Sequence, residues 1–204
     1  MKLYLVRHGE TCWNRESRLQ GVSDIALNEN GIRLAKMTGK KIAHIPFDCA
    51  YSSPLIRAKD TGNYMLEGRG LVIREDQRLI EASFGLLEGE RVTKLRKEQH
   101  PILDFFEKPE KKVKVEDAES PIDVVNRARF FVEDVVLKNQ KKYENMIVFS
   151  HGALIHGMLT YFYQRDVKDF WHDPVQKNCA ISVVEVSNGD FSVLEEAKVL
   201  VKHI

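Results

Sequence analysis

Short apolar runs alternate along this chain with longer segments in which apolar residues recur every three or four positions. Runs of this length are typical of strands in a buried sheet. Six runs predict strands: Lys2–Val6, Asp48–Tyr51, Leu71–Ile73, Met146–Phe149, Ala180–Val186 and Phe191–Leu194. The last two flank an Asn-Gly pair, which predicts that they form an antiparallel hairpin.

Helical periodicity occupies the segments between these strands. Asn28 caps a predicted helix that runs to about Ala43, and Ser52-Ser53-Pro54 predicts a second helix with hydroxyl caps and proline in its first turn. The other helices are expected over Thr93–Phe106 with a break at His100-Pro101, over Pro121–Lys142, and from residue 152 to about Tyr163. Strands that alternate with helices predict an α/β sandwich with a mostly parallel sheet and a C-terminal antiparallel hairpin.

Length and composition narrow the class of protein. The chain has 204 residues, 43% of them apolar, with 31 basic and 30 acidic side chains. One domain over residues 1–204 is therefore expected. The charge balance argues against a nucleic-acid partner and against a disordered tail, and no apolar stretch is long enough for a membrane partner.

The cysteines and the N-terminus predict the compartment. Three scattered cysteines, Cys12, Cys49 and Cys179, favour a reducing environment over a disulfide framework. The first apolar stretch is too short for a signal-peptide core. We therefore expect a cytoplasmic protein.

Two predicted parallel strands end on a histidine followed by glycine. Arg7-His8-Gly9 follows the first strand, and His151-Gly152 follows Met146–Phe149. Ligands of such sheets bind beyond the carboxyl ends of the strands. An arginine presents a fork of donors that matches phosphate, and the neighbouring positive charge keeps an imidazole neutral by lowering its pKa.

Two further side chains extend this pattern. Arg57 lies in the first turn of a predicted helix, where anions are already favoured, and Glu81 follows an apolar stretch as a candidate general acid. Taken alone, each also fits an ordinary loop or surface residue. Together, Arg7, His8, Arg57 and His151 make a ring of donors that suits a phosphate dianion.

Ordered motifs across most of the chain resemble the histidine phosphatase superfamily, the phosphoglycerate-mutase-like proteins. The motifs are Arg7-His8-Gly9-Glu10-Thr11 with Trp13-Asn14, Leu19-Gln20-Gly21 with Asp24, Leu27 with Gly31, Ser52-Ser53-Pro54 with Arg57-Ala58 and Thr61, Glu81 with Phe84-Gly85 and Glu88-Gly89, Glu119-Ser120 with Asp123 and Arg127, and Ser150-His151-Gly152. The resemblance implies a three-layer α/β/α sandwich and two-step phosphoryl transfer without a metal or other cofactor.

The resemblance also implies roles for the site residues. His8 is expected to become a phosphohistidine, with Glu81 as general acid and then base. Phosphate binding is expected from a set that includes both arginines: Arg7, Asn14, Gln20, Gly21, Arg57, His151 and Gly152.

Several activities share this core. A cap-like insertion at about 82–120 is expected to choose a small phosphorylated metabolite as the substrate. The cofactor-dependent mutases carry an adjacent Arg-Arg pair after the acid segment, and residues 90–119 here contain none. The prediction is therefore a small-metabolite or broad-specificity phosphatase. A phosphoglycerate mutase and a phospho-ligand binding protein without turnover are the alternatives.

Other histidines and aromatic residues are interpreted as structural. Five histidines lack metal-ligand spacing: His44, His100, His156, His172 and His203. A cluster near the end of the chain is expected in the core or an interface: Phe162, Tyr163, Phe170 and Trp171.

Overall fold

One six-stranded sheet organises the chain. A computed structural model describes residues 1–201, so His203 lies outside the described residues. The strands, in chain order, are β1 (Lys2–Arg7), β2 (Cys49–Ser52), β3 (Ile73–Glu75), β4 (Asn145–Ser150), β5 (Ile181–Ser187) and β6 (Asp190–Lys198). Five begin within one residue of their predicted starts, and β3 begins two residues later than expected.

The order of the strands is β3-β2-β4-β1-β5-β6. The pairs β3–β2, β2–β4 and β4–β1 are parallel, and β1–β5 and β5–β6 are antiparallel. Asn188 and Gly189 turn the final hairpin with φ angles of 52° and 90°, as a type I′ turn requires. The predicted mostly parallel sheet with a C-terminal antiparallel hairpin is confirmed.

Helices cover both faces of this sheet. In chain order they are α1 (Cys12–Arg15), α2 (Glu29–Lys41), α3 (Ile56–Met65), α4 (Val92–Lys97), α5 (Asp104–Glu107), α6 (Pro121–Phe131), α7 (Leu137–Asn139) and α8 (Gly152–Phe162). A π-helical turn, Val132–Val136, joins α6 to α7. Within residues 1–201, every helix is too short or too polar to cross a bilayer.

Two helix starts test the capping predictions. Asn28 caps α2 by accepting from the Gly31 amide at 2.8 Å, as predicted. The predicted hydroxyl cap of α3 is wrong, because α3 begins at Ile56 and its N-cap, Leu55, makes no side-chain cap. Ser53 instead places its hydroxyl 2.8 Å from His151 Nε2.

Alternation along the central strand β1 divides the core into two layers. Leu3 and Leu5 point into one cluster with residues of α6 and α8. Tyr4 and Val6 point into the other with residues of α2 and α3. Because successive strand residues face opposite sides, one short apolar strand anchors both helical layers. The α/β/α arrangement follows.

Candidate active site

The carboxyl ends of β1, β4 and β2 meet at one edge of the sheet. The His8 amide continues the ladder by donating to Ser150 O at 2.9 Å, and the Ser53 amide donates to Phe149 O at 2.9 Å. His151 follows β4 directly and is the N-cap of α8. The sequence-predicted pair of histidines is therefore brought together, with 5.1 Å between the ring centroids of His8 and His151.

His8 is almost completely buried, with 2% of its surface exposed. Its Nδ1 lies 2.7 Å from Gly9 O. A ring nitrogen that donates to a carbonyl carries the proton, so this contact assigns the lone pair to Nε2. Burial, followed by the charges of Arg57 and Arg7, lowers the pKa of His8 well below its usual 6.5. The imidazole is therefore neutral at neutral pH, with an unprotonated Nε2.

The guanidinium groups of buried Arg57 and half-buried Arg7 flank this imidazole. Arg57 is fully buried, and its Nη1 and Nη2 donate to Ser23 O and Gly21 O, both at 2.7 Å. Arg7 donates through Nη1 to Gln176 O. Nε of each arginine is buried and has no hydrogen-bond partner among residues 1–201. Buried donors without partners are costly, and an oxyanion in this space is the kind of ligand that satisfies them.

Both arginines keep their charge. Burial lowers the pKa of Arg57 to about 10, while the carboxylates of Glu81, Asp24 and Glu88 oppose that shift. Burial also lowers the pKa of Arg7, against the attraction of Glu81. The site therefore holds two cations in a region from which water is largely excluded, where their electrostatic effect is strongest.

The Glu81 carboxylate sits at the N-terminus of α8. Its Oε1 accepts from Ala153 N at 3.1 Å and Leu154 N at 3.3 Å, and Oε2 accepts from Ala153 N at 3.2 Å. A Cβ built on Gly152 lies 3.7 Å from both Glu81 Oε2 and Arg7 Nε. Because Gly152 has no side chain, the space between the Glu81 carboxylate and the Arg7 guanidinium stays open.

His151 is fully buried beside His8 and does not line the cavity described below. Its Nε2 meets the Ser53 hydroxyl, and its Nδ1 has no partner in the described chain. Burial, followed by the charge of Arg57, lowers the pKa of His151 well below 6.5. Nδ1 is thus the ring atom left for a ligand.

Asn14 is held so that its amide nitrogen remains available. Its Oδ1 accepts from Thr11 N at 3.1 Å and from Asn178 Nδ2 at 3.3 Å. Two N–H donors on one oxygen fix the orientation of the amide group. Gln20 Oε1 accepts from Thr11 Oγ1 at 2.9 Å, which ties it to the same loop.

Gly21 has a left-handed φ of +53°. A Cβ at this position would overlap the Glu88 carboxylate. Glu88 in turn accepts from the amides of Val22 at 2.9 Å and Ser23 at 2.6 Å. The loop at 21–23, which accepts the hydrogen bonds of Arg57, is therefore also held by hydrogen bonds to the Glu88 carboxylate.

A cavity of about 220 Å³ joins these groups. The predicted residues that line it are Arg7, His8, Asn14, Gln20, Gly21, Arg57, Glu81 and Gly152. Phe84, Val92 and Phe106 from residues 82–120 complete part of its wall. Among residues 1–201, no cluster of three or more His, Cys, Asp or Glu side chains is arranged to hold a metal ion.

Residues 171–178 also contribute to the site, and the sequence patterns did not indicate them. Trp171 and Gln176 line the cavity, and Asn178 Nδ2 donates to His8 O at 3.1 Å. Phe162 and Phe170 lie in the core as predicted, whereas the structural interpretation of Trp171 was incomplete. His156, also interpreted as structural, lines the cavity from the second turn of α8.

Comparison with known proteins agrees with this geometry. A phosphoserine phosphatase of Hydrogenobacter thermophilus is 32% identical over 84% of this chain and 80% of its own length. A 2,3-bisphosphoglycerate-dependent phosphoglycerate mutase of Buchnera aphidicola is 29% identical over 78% of this chain and 83% of its own length. The structure of Bacillus stearothermophilus YhfR superimposes with a TM-score of 0.90 at 30% identity, over 97% of both chains.

The family assignment follows from the match along the whole chain. Residues 3–198 match the family model of the histidine phosphatase superfamily (branch 1), and this range contains all of the strands and helices given above except Lys2, the first residue of β1. The predicted resemblance is confirmed: the chain belongs to the histidine phosphatase superfamily.

Proposed function

We propose that this protein hydrolyses phosphomonoesters of small metabolites through a phosphohistidine at His8. One observation carries the proposal: the neutral His8 imidazole, the Arg7 and Arg57 guanidiniums and the Glu81 carboxyl group surround a single cavity. Phosphoryl transfer depends mainly on positioning and on electrostatic stabilisation, and this arrangement supplies both.

In the first step, His8 Nε2 attacks phosphorus as the bond from phosphorus to the alcohol oxygen breaks. Arg7, Arg57 and His151 Nδ1 hold the phosphoryl oxygens, and the two guanidiniums neutralise the charge that develops on them. Glu81 in its acid form gives a proton to the departing alkoxide. The products of this step are the free alcohol, phosphohistidine and the Glu81 carboxylate.

In the second step, Glu81 accepts a proton from water as the water oxygen attacks phosphorus. The bond from phosphorus to His8 breaks and inorganic phosphate leaves. Asn14 Nδ2, with Gln20, Gly21 and Gly152, completes the proposed phosphate cradle. The guanidiniums supply the positive charge in both steps, and the mechanism as proposed uses no metal or cofactor.

Hydrolysis is favoured over mutase activity by the segment that covers the cavity. A mutase must retain and reorient a phosphoglycerate, and the adjacent arginine pair that grips its carboxylate is missing from residues 90–119. We assign residues 82–120 to a cap on a single domain, because they contribute Phe84, Val92 and Phe106 to the wall. The phosphoserine phosphatase relative supports the same choice.

The test is a ³¹P NMR time course in EDTA with a mixture of phosphomonoesters that includes 3-phosphoglycerate. We expect inorganic phosphate to accumulate, and His8→Ala to lower the rate by at least about 10³-fold while inorganic phosphate still binds in calorimetry. His44→Ala is the matched control, since His44 is exposed and does not line this cavity.

Other outcomes separate the alternatives. Conversion of 3-phosphoglycerate to 2-phosphoglycerate without free phosphate identifies a mutase. Phosphate binding by the unaltered protein with no turnover of any ester identifies a binding protein. Full activity in His8→Ala would remove the phosphohistidine from the proposal.

A further inference from the structure

Ser53 places a buried hydroxyl against the proposed phosphate cradle. The residue directly follows β2 and is fully buried. Its amide donates to Phe149 O at 2.9 Å, which anchors its backbone beside the end of β4. Its Oγ lies 2.8 Å from His151 Nε2. A hydroxyl that water does not reach is thus in direct contact with a ring that the proposed mechanism uses.

The hydrogen bonds of the Ser53 hydroxyl determine the direction of this contact. Leu55 N donates to Ser53 Oγ at 3.2 Å, so the oxygen already accepts one hydrogen bond. Within the described residues, His151 Nε2 is the one acceptor that pairs with the hydroxyl hydrogen. Ser53 therefore donates and Nε2 is unprotonated. A proton on Nε2 would leave a buried hydroxyl hydrogen without an acceptor, which is costly.

The proton of His151 consequently lies on the other nitrogen. A neutral imidazole carries one proton, so an unprotonated Nε2 places it on Nδ1. Nδ1 is buried and has no hydrogen-bond partner in the described chain. Phosphoryl oxygens are negatively charged and only accept hydrogen bonds, so they are attracted to an N–H group and repelled by a bare lone pair. The tautomer that satisfies Ser53 is thus also the one that binds the anion.

The same contact disfavours a second proton on the ring. An imidazolium would donate from Nε2 to Ser53 Oγ and would again leave the hydroxyl hydrogen without an acceptor. Burial, followed by the charge of Arg57, also lowers the pKa of His151 well below 6.5. His151 therefore acts as a neutral donor, and the positive charge of the site belongs to the guanidiniums.

His8 and His151 hold the same tautomer through opposite partners. Gly9 O can only accept, so it takes the proton of His8 Nδ1 and leaves Nε2 free to attack. Ser53 donates to Nε2 of His151 and leaves its Nδ1–H group for the ligand. One ring consequently offers a lone pair to phosphorus, and the other offers a proton to a phosphoryl oxygen.

We propose that Ser53 is a positioning residue that fixes the neutral, Nδ1-protonated form of His151 and thereby makes this ring a hydrogen-bond donor to the phosphoryl group. The inference rests on the proposed function, which supplies the phosphoryl oxygen at Nδ1. Ser53 acts on the substrate through His151 and not by touching it.

The first test reads the proton positions in the unaltered protein. ¹⁵N NMR of the histidine side chains distinguishes protonated from unprotonated ring nitrogens, and His151→Asn assigns the signals of His151 by their loss. At pH 7 we expect a protonated Nδ1 and an unprotonated Nε2, both without ligand and with saturating inorganic phosphate. A proton on Nε2 in either sample, as the other tautomer or as an imidazolium, overturns the proposal without any variant of Ser53.

The second test removes the donor with Ser53→Ala, for which Ser52→Ala is the matched control. Ser52 is equally buried, and its hydroxyl donates at 2.8 Å to Ser53 O instead of to a histidine. We expect Ser53→Ala to let part of the His151 population carry its proton on Nε2. It should also lower kcat/KM for ethyl phosphate and the affinity for inorganic phosphate at least about tenfold each, and the control should keep the ¹⁵N pattern and stay within about threefold.

A double-mutant cycle separates an effect on the ring from a packing defect. His151→Asn has no Nε2, so in that background Ser53→Ala is expected to change phosphate affinity by less than about twofold. Equal losses in the two backgrounds, or a ¹⁵N pattern of His151 that Ser53→Ala leaves unchanged, overturn the positioning role.

Failure of the hydrolase proposal gives a different result. In that case the unaltered protein releases phosphate from no ester, whereas the ¹⁵N pattern and the phosphate affinities still decide whether Ser53 fixes the tautomer of His151.

Discussion

Arg127 links the proposed proton donor to the rest of the fold, and its removal provides a sharp test of that link. Arg127 lies on α6, and its guanidinium donates to three carbonyls of the segment that ends at Glu81. It also forms an ion pair with Glu119. We expect Arg127→Met to displace Glu81 and to reduce both stability and proton transfer.

The contacts of Arg127 set the magnitude. It donates to Arg78 O at 3.0 Å, Ile80 O at 2.7 Å and Glu81 O at 3.1 Å, and it pairs with Glu119 at 2.7 Å. At about 1 kcal/mol for each of these four contacts, the loss approaches 4 kcal/mol. The paired side chains are 17% and 25% exposed, which reduces the estimate to about 3 kcal/mol because water replaces part of the interaction.

The kinetic effect depends on the leaving group. An alkyl alkoxide needs a proton from Glu81, whereas p-nitrophenolate leaves readily without one. We therefore expect Arg127→Met to lower kcat/KM for ethyl phosphate at least about tenfold more than for p-nitrophenyl phosphate. A residue that only supports the fold lowers both substrates alike.

Urea unfolding and steady-state kinetics measure these two effects. Arg129→Met is the matched control, because Arg129 lies on the same helix and its contact with Glu133 is a long 3.8 Å pair of half-exposed side chains. We expect the control to change stability by less than about 0.5 kcal/mol. Equal losses on the two esters in Arg127→Met would refute the positioning role.

Two further predictions follow from the buried polar groups. The pKa values of His8, His151 and His156 are lowered in the fold, so the unfolded chain binds more protons below about pH 6.5 and stability falls as the pH falls. Each histidine is expected to cost about 2 kcal/mol between pH 7 and pH 5, measured by urea unfolding, and a flat stability from pH 7 to pH 5 contradicts the assignment. Asn14→Asp retains the oxygen that accepts from Thr11 but replaces an amide donor with a negative charge, so kcat/KM is expected to fall about 10²-fold with the unfolding midpoint nearly unchanged. A variant that retains full activity would remove Asn14 from the phosphate cradle.

The sheet and the strand-end residues were predictable because short-range patterns determine them. An apolar run that stops at a polar residue marks the end of a strand, so Arg7-His8 and His151 could be placed at the same edge before any contact was known. The Asn188-Gly189 turn was likewise predictable, because Asn and Gly are the residues that tolerate its positive φ angles. In each case, the information lies within a few neighbouring residues.

Contacts between distant segments explain what the patterns did not reveal. Asn178 and Gln176 enter the site because the chain before β5 packs against the end of β1, where the Cys179 amide donates to Arg7 O at 3.0 Å. Ser53 was expected to cap a helix, but its hydroxyl instead contacts His151, which lies 98 positions away in the sequence. Neither partner can be recognised from local sequence.

Arg57 shows why the site is organised before a substrate arrives. Its guanidinium is fixed by two carbonyls of the loop at 21–23, and Glu88 holds that loop through the amides of Val22 and Ser23. The loop therefore has two opposed partners, one positive and one negative, and neither depends on the ligand. In the proposed mechanism, an oxyanion that enters the cavity meets cations already in place, so little reorganisation is required when charge develops on the phosphoryl oxygens. The left-handed backbone at Gly21 thus helps to hold the loop that fixes the Arg57 guanidinium, which is proposed to stabilise the phosphoryl oxygens.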